Sequence, residues 1–266
     1  DSNSFASSQR RVMRRLKTSA PSKMSLLKAY HEMNFEQRKE IAQRAGVKYD
    51  TDRDEKIREL LVTRPVRSLS GIVNVSVLTK PYPCPGQCIY CPSEEGMPKS
   101  YIKTEPAAMR AAMTNFDPAK QVNVRINALS DAGHPVEKIE LRIIGGSWSS
   151  YSKRYRFGFI KTLFDTCNQK VAKDLKSAQK LNESAKHKVV GLSIETRPDL
   201  ITPKEIAELR ELGVTAVELG IQAIDEKILR IVKRGHGLDS IVNATRMLKD
   251  AGFKICYQMM PNLPGS

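Results

Sequence analysis

The spacing of hydrophobic and polar positions along this chain changes at Gly71. Before it, apolar residues recur at helical intervals: Leu26, Leu27 and Tyr30 within Met24–His31, then Phe35, Ile41, Ala42 and Ala45 within Phe35–Ala45. A charged stretch after Gly46 leads to a third helical segment, Glu55–Val62, and Pro65 ends the series. From Gly71 onward, short β-branched runs alternate with amphipathic stretches. Strands are predicted over Ile72–Leu78, Lys138–Ile144, Val189–Glu195, Val214–Ile221 and Phe253–Met260. Helices are predicted over Pro106–Met113, Gln121–Ala132, Phe157–Val171, Asp225–Lys233 and Leu238–Ala251. Another opens at Thr202-Pro203, an N-cap residue followed by proline at the first helical position. Polar Lys173–Lys188 reads as a helix end running into a mobile loop. Two regions follow: a basic helical region over 1–65 and an α/β domain over 66–266. Repeated strand–helix alternation implies a parallel sheet with right-handed crossovers, either barrel-like or doubly wound. In both, chemistry gathers at the C-terminal ends of the strands.

Those strand ends carry the distinctive residues. After the first strand the chain reads KPYPCPGQCIYCP, which sets Cys84, Cys88 and Cys91 in a CxxxCxxC cluster. Three thiolates this close can ligate three irons of a [4Fe–4S] cluster. The fourth iron is then open to chelate the amino and carboxylate groups of S-adenosylmethionine. A structural zinc site wants four Cys or His ligands, and no second CxxC or HxxxH is present. A disulfide framework suits short secreted chains with even cysteine counts, whereas this chain has five cysteines in 266 residues. After the second strand come Gly145, Gly146 and Ser147, where bare backbone can approach a ligand. The third ends in Glu195-Thr196-Arg197-Pro198-Asp199, the fourth near Gly220-Ile221-Gln222, and the fifth at Gln258 to Asn262. Alone, Gly145-Gly146 is equally a turn and Glu195 with Arg197 equally an ion pair. Converging on one face with the cysteines, they outline a cofactor pocket. Cys167 and Cys256 read as small core hydrophobes, and His31, His134, His187 and His236 are too scattered to hold a metal.

Charge adds a substrate class. Lys and Arg outnumber Asp and Glu by 44 to 29, a net charge of +15. Residues 1–28 concentrate the excess in Arg10, Arg11, Arg14, Arg15, Lys17, Lys23 and Lys28. Such an arm neutralises phosphate without reading sequence, or is simply a solvated tail. Val62–Arg67 is basic too, and Tyr151–Arg156 alternates tyrosine with Lys153, Arg154 and Arg156, a pattern suited to stacking on unpaired bases. No run approaches the ~18 apolar residues of a membrane helix, and the N-terminus lacks a secretory apolar core. Thiolates kept for iron fit a reducing compartment, so a cytoplasmic protein without membrane partners is expected.

The chain from about Pro65 resembles the radical-SAM domain of the catalytic subunit of Elongator and its single-chain bacterial and archaeal homologues. The resemblance is carried in order by KPYPCPGQCIYCP, TEPAAMRA, HPVEKIELRIIGGSW, GLSIETRPD, VELGIQA, KRGH and KDAGFKICYQMMPNLPG. It implies a partial (β/α) barrel of the TIM type behind a small basic helical module. It also implies an enzyme that makes 5-carboxymethyluridine at the tRNA wobble position. In that chemistry a deoxyadenosyl radical from S-adenosylmethionine takes hydrogen from the methyl group of acetyl-CoA. The carbon radical then adds to carbon 5 of the uracil. By the same resemblance Cys84, Cys88 and Cys91 are cluster ligands, and Lys138 contacts acetyl-CoA. Tyr90, Gly145, Gly146, Ser147, Glu195 and Gln222 hold the cofactor. Arg10, Arg11, Arg14, Arg15, Lys17, Lys153, Arg154 and Arg156 face the tRNA anticodon stem-loop.

The tight cysteine spacing favours a microbial member, while Gln258 and Asn262 stand where many members have His and Asp. The family continues into an acetyltransferase domain, so a truncated radical-SAM portion lacking full activity is expected. Elongator-like partner subunits, a monomer or a homodimer are all compatible with it. Two other readings stay open: a protein acetyltransferase subunit of the histone type, and an RNA-binding module whose metal is structural.

Overall fold

A computed structural model describes residues 23–44 and 62–266. The chain divides into two compact units, Asp1–Val73 with Ile126–Val136, and Asn74–Arg125 with Glu137–Ser266. In the first, helices α1 (Lys23–Glu32) and α2 (Phe35–Arg44) match the predicted periodicity. Helix α2 begins at a reciprocal cap: Asn34 Oδ1 accepts from the Gln37 amide at 2.9 Å, and Gln37 Oε1 accepts from the Asn34 amide at 2.8 Å. His134 pairs through Nδ1 with Ser68 Oγ at 2.8 Å, a structural role in the same unit. The predicted helix at Glu55–Val62 lies, Val62 aside, outside the described residues, as do Arg10, Arg11, Arg14, Arg15 and Lys17.

The sheet comprises β1 (Val73–Leu78), β2 (Lys138–Ile144), β3 (Lys188–Thr196), β4 (Ala216–Gln222) and β5 (Lys254–Met259), in the order β1-β2-β3-β4-β5. The β2–β3, β3–β4 and β4–β5 pairings are parallel. Helices α3 (Pro106–Met113) and α4 (Pro118–Asp131) link β1 to β2, and α5 (Lys153–Asn168) and α6 (Leu175–Asn182) link β2 to β3. Helix α7 (Pro203–Glu211) leads to β4, and α8 (Glu226–Ile231) and α9 (Leu238–Asp250) lead to β5. A doubly wound sheet reverses its strand order at a switch point. Here each strand sits beside its neighbour in sequence, which is the barrel-like alternative.

Helix α6 occupies the segment expected to be a helix end running into a mobile loop. It is capped by Asp174 Oδ1, which accepts from the Ser177 amide at 2.8 Å. Its fully buried residues are Ala178 and Asn182, flanked by half-buried Leu175 and Leu181 in an otherwise polar segment. Helix α5 starts four residues before its predicted position because Ser152 caps it, its side chain accepting from Tyr155 N at 3.3 Å.

Period-two alternation splits the sheet into unlike faces. Ile139, Leu141, Ile143, Leu192, Ile194, Val217 and Leu219 are each 1% exposed or less. Burial of each such side chain contributes about 1.5–3 kcal/mol. The alternate positions are Arg142, Ser193, Glu195, Glu218 and Gln258. A parallel sheet covered by helices on both faces reads as continuous apolar strands. This polar second face therefore lines an interior meant for something other than core. On the helical side Arg156 of α5 bridges Glu205 and Glu208 of α7 at 2.6 and 2.5 Å, all three buried. On β5, Cys256 is exposed rather than a core thiol, since no further strand pairs with β5 among the described residues. Cys167 is buried as expected.

Candidate active site

The cysteine loop leaves the C-terminal end of β1 and is pinned at once. Thr79 N donates to Ile144 O at 2.9 Å, Lys80 N donates to the Tyr155 hydroxyl at 3.1 Å, and the Tyr151 hydroxyl donates to Lys80 O at 2.7 Å. Tyr155 of α5 and Tyr151 just before the helix thus form a wall behind the loop. Tyr151 stacks between Tyr82 (ring centroids 4.7 Å apart) and Tyr155 (4.9 Å). Tyr151 is buried in this stack, so it offers no free ring to a base.

The three sulfurs face one cavity of about 340 Å³, lined also by Tyr90, Gly146, Ser147, Glu195, Arg197, Gln222, Arg234 and Gln258. Cys84 Sγ lies 3.7 Å from Ser147 Oγ, and Cys91 Sγ lies 2.8 Å from Ser100 Oγ. Cys88 Sγ accepts from Arg234 Nη1 at 3.4 Å. Burial alone would raise the Cys88 thiol, but the Arg234 guanidinium, the Tyr90 hydroxyl and the Arg197 charge together hold it below its ordinary range. Burial pushes the Cys91 thiol up.

Backbone conformation shapes the rim. Gly145 has φ +127°, and a Cβ there would meet Thr79 Oγ1 at 2.1 Å. Its freedom lets β1 and β2 close together, while the cavity wall itself is Gly146 and Ser147. Gln222 takes φ +71° at a register shift in the β4–β5 pairing. A bulge of this kind beside a cavity re-aims a side chain.

The polar sheet face meets the cavity at Glu195. Tyr101 donates to Glu195 Oε2 at 2.7 Å and Gln258 Nε2 to Oε1 at 3.1 Å. Arg142 forks onto Glu218 at 2.6 and 2.5 Å, and its Nη2 is 3.7 Å from Glu195. Burial pushes the Glu195 carboxyl up, with Glu218 adding to the effect. For Glu218 burial acts the same way, yet the Arg142 fork holds it below the usual carboxylate range.

Of the residues singled out in the sequence, Cys84, Cys88, Cys91, Tyr90, Gly146, Ser147, Glu195 and Gln222 come together here, and Gly145 sits just behind. Lys138 does not. It is exposed at the first position of β2, six residues or about 20 Å along the strand from the cavity end. Lys153 and Arg154 are exposed, whereas Arg156 is spent on its two glutamates inside. Arg234, Tyr101 and Arg142 were missed, since their partners lie far away in sequence. Only the KRGH motif hinted at Arg234.

The donor set suits a cluster. Among the described residues no three Cys, His, Asp or Glu side chains converge to hold a single ion. Ligands to the separate irons of a cubane need not converge. Arg197 Nη1 is buried beside this loop without a hydrogen-bond partner. Orphaned buried polar atoms ask for a ligand.

A three-cysteine loop after the first strand of a consecutively ordered, barrel-like sheet defines the class of protein. Residues 152–266 match the Radical SAM superfamily. The tRNA uridine(34) acetyltransferase of Methanocaldococcus infernus is 46% identical over 227 residues, 83% of this chain and 42% of that protein. Elongator complex protein 3 of Schizosaccharomyces pombe is 35% identical over 231 residues, again 83% and 42%. The structure of archaeal Methanocaldococcus infernus Elp3 with an N-terminal deletion (1–46) superposes with a TM-score of 0.62 at 40% identity, covering 74% of this chain and 39% of that one. The chain belongs to the radical SAM superfamily, in the family of the catalytic Elongator protein and its archaeal and bacterial relatives. Membership implies a [4Fe–4S] cluster and S-adenosylmethionine. The chain spans about two-fifths of the length of these relatives.

Proposed function

We propose that this chain is the radical-SAM portion of an enzyme that modifies the wobble uridine of tRNA, uridine 34, to 5-carboxymethyluridine with acetyl-CoA as co-substrate. The observation that carries the reading is the meeting of Cys84, Cys88 and Cys91 with Gly146, Ser147 and Glu195 around one cavity. The three thiolates would hold the cluster, and the Gly146-Ser147 backbone would receive the methionine end of S-adenosylmethionine. When bound, the cluster supplies the electron that cleaves S-adenosylmethionine and so provides the radical for hydrogen abstraction. The chain's own residues orient and shield. Tyr101 and Gln258 fix both oxygens of Glu195, leaving it set to accept hydrogen bonds from a ribose. Arg142 compensates the paired carboxylates beneath.

Exposed Lys153 and Arg154, with Arg10, Arg11, Arg14, Arg15 and Lys17, would contact tRNA phosphates, and the region 1–65 would be the basic tRNA-binding module. Lys138, at the far end of β2, is left with no part in the reacting atoms; it would meet only a long phosphate-bearing co-substrate such as acetyl-CoA. No observation favours a protein acetyltransferase. A structural-metal module is disfavoured by thiols that do not converge on one ion.

The test is anaerobic reconstitution with iron and sulfide, then S-adenosylmethionine and a strong reductant, with and without tRNA. Formation of 5′-deoxyadenosine, stimulated by tRNA, is expected. A chain that carries four irons yet makes none refutes the reading.

A further inference from the structure

We propose that Arg234, oriented by His236, hydrogen-bonds the Cys88 sulfur so as to favour the reduced state of the cluster, with Arg197 as a second buried cation. The inference rests on the cluster site proposed above. Arg234 is 7% exposed and fully committed. Its Nη1 reaches Cys88 Sγ at 3.4 Å, its Nε donates to His236 Nε2 at 2.9 Å, and its Nη2 donates to the Gly220 carbonyl. Gly235, at φ +81°, turns the chain between the two side chains. The Arg234 carbonyl in turn accepts from Arg197 Nη2 at 3.0 Å.

Arg197 is 4% exposed and forks onto Asp199 at 2.9 and 3.0 Å. Its Nη1 has no partner and points at the cysteine loop, where a Cβ on Gly86 would fall 2.3 Å from it. Two guanidiniums with one carboxylate therefore leave an excess positive charge buried under the sulfurs.

Hydrogen bonds to cluster sulfurs and nearby charge set the potentials of iron–sulfur centres. Reduction adds one electron, supplied by a low-potential one-electron donor, and breaks no bond. A donor on Cys88 and a buried cation both stabilise the added negative charge. A scaffold alone would need neither an aligned N–H nor the unpaired one.

The experiment reconstitutes the whole chain anaerobically without S-adenosylmethionine. It measures iron and sulfide per chain, circular dichroism, and the midpoint potential by dithionite titration followed by electron paramagnetic resonance. Arg234→Gln should keep full cluster content and make reduction about tenfold less favourable, 59 mV for a one-electron couple. Arg234→Lys and His236→Ala should shift it the same way by less, and His236→Gln, which keeps an acceptor for Arg234 Nε, should restore the native value. Native potential in any folded, fully loaded Arg234→Gln protein overturns the inference. If that variant does not fold, native potentials in both Arg234→Lys and His236→Ala overturn it. Loss of the cluster from all three makes Arg234 a structural support and overturns it too. A native chain that never loads four irons sinks the proposed function itself; a native chain that cleaves S-adenosylmethionine beside variants of unchanged potential sinks only this inference.

Discussion

At the residue scale, identity decided less than surroundings. Cys84, Cys88 and Cys91 were legible from spacing alone, yet their three sulfurs sit differently, one against a serine of β2's end, one under an arginine, one on Ser100. Cys88→Ala should abolish cluster loading and deoxyadenosine formation while costing about 1 kcal/mol in urea unfolding. A structural metal site would instead unfold with it. His236 gives a prediction with a sign. Burial, then the neighbouring Arg234, lowers it from 6.5 to about 4. Its neutral form is thus the native one, and its stabilisation is complete above about pH 6.5. As pH falls toward 4 the unfolded chain binds the extra proton and the stabilisation is lost. Urea unfolding at pH 7 and pH 4.5 should show native protein losing on the order of 1–2 kcal/mol more than His236→Gln, after allowance for solvent screening.

At the element scale, every strand was predicted to within about two residues, because parallel strands carry dense β-branched runs and their ends are marked by glycine or proline. What failed has physical causes. Helix α6 fully buries only Ala178 and Asn182 and carries just two large apolar residues, half-buried Leu175 and Leu181, among lysines and serines that read as a polar loop. Arg156 looked like part of a basic surface because charge alone does not show Glu205 and Glu208, 49 and 52 residues on. Arg156→Ala should cost about 3–5 kcal/mol in chemical denaturation, since it strands two buried carboxylates. The Arg142–Glu218 fork, 76 residues apart, was equally invisible. Gly145→Ala combines a positive φ with a 2.1 Å clash on Thr79. It should destabilise by at least 2 kcal/mol and misplace the cysteine loop, which cluster content would report.

At the scale of the whole molecule, the net charge of +15 predicts salt-sensitive RNA binding. Replacing Lys153 and Arg154 with glutamate should weaken tRNA binding about equally for all sequences and flatten the dependence of log K on log salt. An unchanged slope in filter binding would remove that surface from the interface. No helix among the described residues is long and apolar enough to cross a membrane. The consecutive strand order has one more consequence, for the order of assembly during synthesis. Each βα unit can dock on the one made just before it, so the sheet grows along the chain with short-range closures. The cysteines, emerging after β1, must wait for Glu195 and Arg197 at the end of β3, and longer still for Arg234 and His236 beyond α8. With the proposed cluster, iron would therefore find a complete cradle only once the chain through β5, which carries Gln258 and Met259 of the cavity wall, has been made.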